Sequence, residues 1–213
     1  MTPEQQKDTH ALDKQSNSIR IFKKYMTGKL KYYLRASAAI DETQIDRIIQ
    51  CFKHQTVGKN AMLLSEGETC KDFYFINSGC IRTYYITAQG HEKTRYIAFD
   101  NSFVTGISSF ISQDQSFEFV EALETSDLLS ISHTDFYQLV SDIPQWAHFY
   151  RTFLELAYLF QNKKIENLVT LSAKQRYDKL ITEAPIYVQR LSNKILSSYL
   201  DITQETLSRL KSK

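Results

Sequence analysis

The chain has 213 residues, of which 42% are apolar and 23% charged, and its formal net charge is +2. These values are typical of a globular protein that is long enough to bury a core. No apolar run approaches the ~20 residues of a membrane span, and the polar start excludes a signal peptide. We therefore expect a cytoplasmic protein whose residues 1–25 form a polar tail.

The cysteines indicate a reducing compartment. Cys51, Cys70 and Cys80 are odd in number and lack the spacing of metal ligands, so we expect small buried hydrophobic residues. Residues 1–50 contain no cysteine.

Positive charge is concentrated in the last quarter of the chain. Residues 161–213 carry ten Lys and Arg and five Asp and Glu, whereas residues 1–160 carry sixteen and nineteen. This asymmetry favours a polyanion partner near the C-terminus. A solvated, lysine-rich surface explains it equally well.

The first strong element is a helix after Asp41. Residues 19–38 mix basic and aromatic side chains and predict only partial helix. Asp41 with Gln44 resembles a capping box. A single apolar face then recurs at helical spacing, and its members are Ile45, Ile48, Ile49 and Phe52.

A β-rich region is predicted from Val57 to about Thr134. Runs rich in Phe, Tyr, Ile and Val alternate with Gly and Asn at intervals of roughly ten residues, which is typical of compact antiparallel structure. The runs are FYFI (73–76), IRTYYI (81–86), TRYIAF (94–99) and FEFVEAL (117–123). Residues 88–92 suit a hairpin tip, because Gly90 tolerates positive φ.

Helices return after Ser132, first a short one over His133–Ser141. From Gln145 to Thr170 there is no Gly or Pro, which predicts about 39 Å of helix begun near Pro144. An apolar stripe follows coiled-coil spacing and comprises Trp146, Phe149, Phe153, Leu156 and Phe160. It suits either packing on the helix's own domain or a seam between two chains. We favour the seam, because a long helix needs an apolar partner along its length.

The chain closes with short capped helices. Ser172 and Gln175 form a second capping box before Ala173–Ile181, and Pro185 breaks the chain. Ser192 can cap Asn193–Tyr199, and Thr203 can cap the last helix. Two short helices joined by about three residues predict a helix-turn-helix, in which Asp201 occupies a position that usually requires Gly.

The last helix has the side chains expected of a DNA-reading surface. The inner face of the helix pair is formed by Leu196, Tyr199, Leu200, Ile202, Leu207 and Leu210. The outward residues Gln204, Glu205, Ser208 and Arg209 suit hydrogen bonds to base edges. Hydroxyl and ammonium groups nearby suit phosphates, and they belong to Lys194, Thr203, Thr206, Ser208 and Lys211. The alternative is an ordinary solvated helix.

Residues 40–213 resemble the Crp/Fnr family of bacterial transcription regulators. The resemblance is carried by LLSEGETCKDFYFINSGCIRTYY (63–85), similar to the family's cyclic-nucleotide-binding β-roll, and by ILSSYLDITQETLSRLK (195–211), similar to its recognition motif. It implies an α+β fold with an N-terminal double-stranded β-helix of jelly-roll type. The implied domains are a β-roll with flanking helices (26–143), a dimerisation helix (144–171) and a helix-turn-helix (172–213) without a full wing.

The resemblance also assigns partners. Glu205 and Arg209 match the family's two main base-contacting positions, whereas Gln204 replaces the usual Arg. The implied partners are double-stranded DNA, a second copy of the chain, RNA polymerase and an unknown small-molecule effector. Because Gln204 replaces that Arg, the resemblance does not specify which DNA half-site the chain would read.

The resemblance predicts a degenerate nucleotide pocket. The cyclic-AMP-binding members hold ribose with a Glu and the cyclic phosphate with an Arg, and Gly106 and Ser116 stand at those positions. A phosphate buried without a cation is costly, so we expect no cyclic AMP and no cofactor. Arg82 and Arg95 lie elsewhere in the roll.

Two other functions are compatible with the pattern. A cupin-type enzyme would share the β-roll, but the chain has no His-x-His pair and no common catalytic motif, so we expect no enzyme and no metal. The other is a sensor or adaptor with degenerate DNA binding.

Overall fold

The computed structural model describes residues 27–36 and 40–212. The polar tail expected over residues 1–25 lies outside them. The helices are α1 (27–36), α2 (Glu42–Gln50), α3 (Ile107–Ser112), α4 (His133–Asp142), α5 (Pro144–Thr170), α6 (Ala173–Glu183), α7 (Ile186–Arg190), α8 (Asn193–Leu200) and α9 (Gln204–Lys211). The strands are β1 (Lys53–Val57), β2 (Met62–Leu64), β3 (Asp72–Ser78), β4 (Cys80–Ile86), β5 (Glu92–Phe99), β6 (Ser102–Val104), β7 (Phe119–Ala122) and β8 (Ser126–Ser132).

The strands form two antiparallel sheets that face each other, with orders β1-β8-β3-β6 and β2-β7-β4-β5. This is the expected β-roll within an α+β fold. Gly90 has a φ of 78° at the tip between β4 and β5, which confirms the predicted hairpin. The roll starts at Lys53 rather than Val57, because β1 is a polar edge strand with little of the aromatic and branched pattern that marks the others.

The prediction from sequence missed two short helices. Helix α3 has six residues and α7 has five, so neither is long enough to show a helical period. Both predicted capping boxes are confirmed: Asp41 accepts from the backbone of Gln44 at 2.9 Å, and Ser172 from that of Gln175 at 3.3 Å.

Aromatic rings fill the interior of the roll. Phe73 lies 4.8 Å from Phe136 and 5.2 Å from Phe103, measured between ring centroids. Phe110 and Phe136 have no exposed surface. Tilted and edge-on pairs of this kind add to the free energy of burial, and they join α3 and α4 to the sheets.

The apolar stripe of α5 packs on the roll of its own chain. Trp146 is fully buried and Phe149 is 3% exposed. Phe153 lies 5.0 Å from Phe73, and Phe160 lies 5.2 Å from Tyr96. Trp146 and Phe149, two members of the predicted seam, are therefore covered by their own chain. Helical spacing identifies a face that must be buried, but it does not say which partner buries it.

The opposite face of α5 is apolar and exposed. Its members are Tyr158, Leu159, Ile165 and Val169, which are 67%, 60%, 58% and 80% exposed. Leu156, the remaining member of the predicted seam, is 60% exposed. A helix with one covered face thus presents a second, uncovered apolar face.

A second core joins the C-terminal helices to the roll. Cys80 and Ile97 on the outer surface of the β4–β5 pair pack with residues of α6 to α9. These partners are Tyr177, Tyr187, Leu191, Ile195, Leu196, Leu200 and Leu207. The first five residues of β4 are therefore all buried. They lack the alternation of buried and exposed side chains that is found in a strand with one face in solvent.

Trp146→Ala is expected to lower the free energy of unfolding by about 3–5 kcal/mol, because it empties a large, fully buried site. The matched control is Phe117→Ala: that ring is 78% exposed, so its loss should change stability by less than about 0.5 kcal/mol. Urea denaturation of both variants measures this. Similar losses for the two would contradict the placement of Trp146 inside the protomer.

Candidate nucleic-acid interface and effector cavity

Capping and turn geometry shape the C-terminal helix pair as predicted. Ser192 accepts from the backbone of Ile195 at 3.4 Å, and Thr203 accepts from that of Thr206 at 3.2 Å. Asp201 lies in the left-handed region with φ 56° and ψ 49°, which lets the chain reverse after α8. The backbone N–H of Ile202 then donates to Ser197 O at 3.0 Å.

Small and branched side chains hold α8 against α9. Leu196 and Leu207 are fully buried, and Leu200 is 4% exposed. The hydroxyl of Ser197 donates to the backbone carbonyl of Lys194 at 3.0 Å, so its polar atom is satisfied inside the helix pair. The expected inner face therefore forms.

The opposite face of α9 is open to solvent. Gln204, Glu205, Ser208 and Arg209 are all exposed. Glu205 accepts a 3.4 Å hydrogen bond from the hydroxyl of Thr203. The four side chains predicted to reach bases thus share one accessible surface at the start and middle of the helix.

The groups predicted to hold phosphates have partners within the chain. Lys194 donates to Glu92 at 2.7 Å and Lys211 donates to Asn193 at 2.6 Å. The hydroxyls of Thr203 and Thr206 lie 3.0 Å apart. Phosphate binding by either lysine would exchange these contacts for new ones, whereas Thr203 is committed to the helix cap.

The β4–β5 hairpin holds the start of the helix pair. Ser198 donates to Glu92 O and accepts from the backbone of Thr94, both at 2.9 Å. Lys93 forms an ion pair with Asp201. The sequence did not reveal this docking, since single Ser, Thr and Lys residues on a strand carry no distinctive pattern.

A cavity of about 250 Å³ lies between the roll and α5. Its lining is mainly aromatic and aliphatic and comprises Tyr33, Arg95, Tyr96, Ser102, Phe103, Val104, Thr105, Ile107, Phe153, Leu156, Ala157, Phe160 and Gln161. Among these described residues, Arg95 is the one with a charged side chain. It forms a two-pronged ion pair with Glu118, with one arm at 3.1 Å, and the Glu118 side chain is 5% exposed.

Gly106 and Ser116 serve structural roles near this cavity. A Cβ on Gly106 would lie 2.5 Å from Leu64 Cδ2, so the glycine is tightly packed against β2. Ser116 donates to Glu118 O at 3.0 Å, and its backbone pairs with Gly67 and Glu68 at 2.8 Å. Both positions lack a cation, as the sequence indicated.

The structure places the two arginines that the sequence could not. Arg95 lines the cavity, and Arg82 is buried on the outer surface of the roll. Arg82 bonds Glu121 at 2.6 Å and Glu92 at 2.7 Å, and its guanidinium lies 3.9 Å from the centre of the Tyr84 ring. Buried guanidinium groups need such partners, so neither arginine presents an unpaired cation to a ligand.

The cysteines behave as buried apolar residues, as expected. Cys70 and Cys80 are buried and Cys51 is half-buried. Burial raises the pKa of the Cys80 thiol to about 12, which keeps it protonated and unreactive. Within residues 27–36 and 40–212, no group of His, Cys, Asp and Glu is arranged to hold a metal ion.

None of the described helices is long and apolar enough to cross a membrane. The described residues thus form a β-roll, a long helix and a C-terminal helix-turn-helix pair, in that order.

Comparison with known proteins identifies regulatory proteins that are similar to this chain. The cyclic nucleotide-binding domain family matches residues 54–142. The chain is 26% identical to electron transport regulator A of Shewanella oneidensis, covering 78% of this chain and 70% of that protein. It is also 26% identical to the fumarate and nitrate reduction regulatory protein of Vibrio cholerae, covering 80% of this chain and 72% of that protein.

A solved structure shares the fold at lower identity. The c-di-GMP responsive global regulator CLP of Xanthomonas campestris superposes with a TM-score of 0.68 at 16% identity, covering 81% of this chain and 90% of that one. The chain is thus similar to transcription regulators of the Crp/Fnr type. The two relatives are named as regulators, which does not support the cupin-type alternative.

Proposed function

We propose that the chain is a dimeric, sequence-specific DNA-binding regulator whose effector is not cyclic AMP. The observation that carries DNA binding is the exposed face of α9, where Gln204, Glu205, Ser208 and Arg209 stand together on a helix packed firmly from behind. The two similar proteins described above are regulatory proteins, which supports the same conclusion.

Each exposed side chain has a matching base edge. Arg209 suits guanine O6 and N7, Gln204 suits adenine N6 and N7, and Glu205 can accept from cytosine N4. Lys194 and Lys211 lie beside this face and would exchange their present partners for phosphates. The half-site therefore includes at least one G·C pair read by Arg209.

The outward face of α5 is the surface proposed for pairing two chains. Tyr158, Ile165 and Val169 recur at spacings that bring them to one side of the helix, and all are more than half exposed. Asn162 is exposed within the same row, and a single Asn in such a row sets register in coiled coils. Paired α5 helices would present two α9 helices to sites about 34 Å apart.

The cavity between the roll and α5 is proposed to hold an effector other than a cyclic nucleotide. Its one cation, among the described lining residues, is Arg95, and Glu118 already neutralises it. A cyclic phosphate would have to displace that carboxylate and leave it buried without a partner, which is costly.

Arg209→Ala is expected to weaken binding to the chain's preferred site by about 1–3 kcal/mol and to relax the preference at one base pair. The reason is the loss of a two-pronged contact to guanine. The site itself comes from selection on a random DNA pool, with and without cell extract, and affinity from fluorescence anisotropy.

Lys211→Ala is the matched comparison. It should weaken binding to all sequences alike and flatten the slope of log affinity against log salt, because it removes a phosphate contact. An unchanged footprint for Arg209→Ala would refute the assignment of α9. No binding by the wild type even at low salt would instead identify an adaptor.

Ile165→Glu is expected to convert the dimer to a monomer, because a carboxylate would be buried in the paired α5 surface. Light scattering after size-exclusion chromatography measures the mass. Lys174→Glu, on the exposed surface of α6, introduces the same side chain elsewhere and should leave the dimer intact. A monomeric wild type, or a dimeric Ile165→Glu, would exclude this surface.

Isothermal calorimetry should detect no binding of cyclic AMP to the full chain, because the cavity offers no free cation for the phosphate. Binding in the low micromolar range would overturn this part of the proposal.

A further inference from the structure

A second cavity lies where the long helix meets the helix-turn-helix unit. Its volume is about 240 Å³. It is lined by residues of α5, α6, α7 and α8. Neither the family's nucleotide position, marked by Gly106 and Ser116, nor the DNA-reading face of α9 contributes to it.

The lining combines apolar walls with an excess of positive charge. Rings and aliphatic groups from Phe160, Leu168, Leu180 and Tyr199 form much of the wall. Four cations and one carboxylate also line it, and they are Lys163, Lys164, Arg176, Lys179 and Glu183. Such a cavity attracts a molecule that is apolar over most of its surface and carries a negative charge.

Lys164 is the most unusual of these cations. Its ammonium donates to Thr94 O at 2.7 Å and to Arg95 O at 2.8 Å, both on β5, and lies 4.2 Å from the centre of the Tyr199 ring. Among the described residues, its hydrogen-bond partners are therefore neutral. Burial lowers the pKa of Lys164 to about 7, with a further decrease from the charge of Arg95 and a small opposing effect of Asp201.

The other cations of the lining have partners of two kinds. Lys163 pairs with Glu166 at 3.0 Å, and Lys179 donates to Asn167 at 3.2 Å and lies 3.9 Å from Glu183. Arg176 donates to Leu171 O at 2.7 Å and to Leu200 O at 3.1 Å, so it satisfies backbone carbonyls at the ends of α5 and α8. Among the described residues, Lys164 and Arg176 are therefore the two lining cations that no carboxylate contacts, and Lys164 is the one that also contacts the roll.

We propose that this cavity is a binding site for a small organic anion, with an aromatic or aliphatic body against the apolar walls and a carboxylate paired with Lys164. The volume fits a molecule of one or two rings. A charge-assisted hydrogen bond to a buried ammonium supplies specificity for the anion over a neutral analogue.

The position of the site gives its ligand a route to the DNA-binding unit. An occupant would touch α5 on one side and α6 and α8 on the other, across the junction at Leu171 and Ser172. A ligand that favours one arrangement of these helices would shift the population towards it. The binding site itself does not depend on the proposed DNA recognition.

The test is calorimetry of the full chain with 2-naphthoate and with 2-naphthamide, its uncharged analogue. The carboxylate is expected to bind once per chain and at least about tenfold more tightly than the amide, the ratio given by one charge-assisted hydrogen bond. Binding of the carboxylate should be strongest near about pH 6 and should weaken towards about pH 8.5, because Lys164 loses its proton over that range. The titratable and charged groups facing Lys164 or sharing its cavity are Arg95, Lys163, Arg176, Lys179, Glu183, Tyr187, Tyr199 and Asp201.

Two variants separate the charge from the shape of the site. Lys164→Met keeps an unbranched chain and should abolish the preference for carboxylate over amide. Lys164→Arg keeps a cation at every pH tested, so it should retain the preference and lose the pH dependence. If Lys164→Met fails to fold, Lys164→Arg and the comparison of carboxylate with amide in the wild type still test the proposal.

Filling each cavity separately identifies which one is occupied. Ala184→Phe narrows the proposed site and should abolish binding, whereas Ala157→Phe narrows the cavity beside Arg95 and should leave it unchanged. The proposal is overturned by equal affinity for the two probes, by undetectable carboxylate binding at about 1 mM, or by loss of binding only in Ala157→Phe.

Discussion

One carboxylate on the outer surface of the β-roll joins strand β4 to the C-terminal helix pair. Glu92 forms ion pairs with Arg82 of β4 and with Lys194 of α8, each at 2.7 Å. Burial raises the pKa of Glu92, but the nearby charges of Lys194 and Arg82 together outweigh burial and hold that pKa below its usual value. A buried guanidinium is costly without carboxylate partners, so Glu92 and Glu121 together stabilise Arg82 in the sheet, and Glu92 also contacts the first helix of the pair.

Because the terminal helices dock on the outer surface of the roll, β4 and β5 need apolar side chains on both faces. With helices on the outside and aromatic rings on the inside, β4 and β5 are covered on both faces. Ile81 and Ala98 face the inner core, whereas Cys80 and Ile97 face the second core. Arg190 of α7 adds ion pairs to Asp100 and Glu124 and donates to Gly79 O at 2.9 Å. The terminal helices are therefore part of one packed unit with the roll.

Sequence periodicity predicted the elements better than their partners. The capped helices, the main strands and the left-handed turn at Asp201 follow from local chemistry, since each depends on a few neighbouring residues. The packing partner of the α5 stripe did not follow from local chemistry. Trp146 and Phe149 give the same sequence pattern whether they pack against another chain or against their own roll. The pairing of Arg95 with Glu118, 23 residues apart, likewise depends on how the strands are arranged in space.

The long helix connects the two cavities through a single ring. Phe160 lines both the cavity beside Arg95 and the cavity beside Lys164, and its ring stands edge-on to Tyr96 at 5.2 Å. Close packing allows such a ring few positions. Phe160 therefore forms a shared wall between the two cavities and keeps them separate.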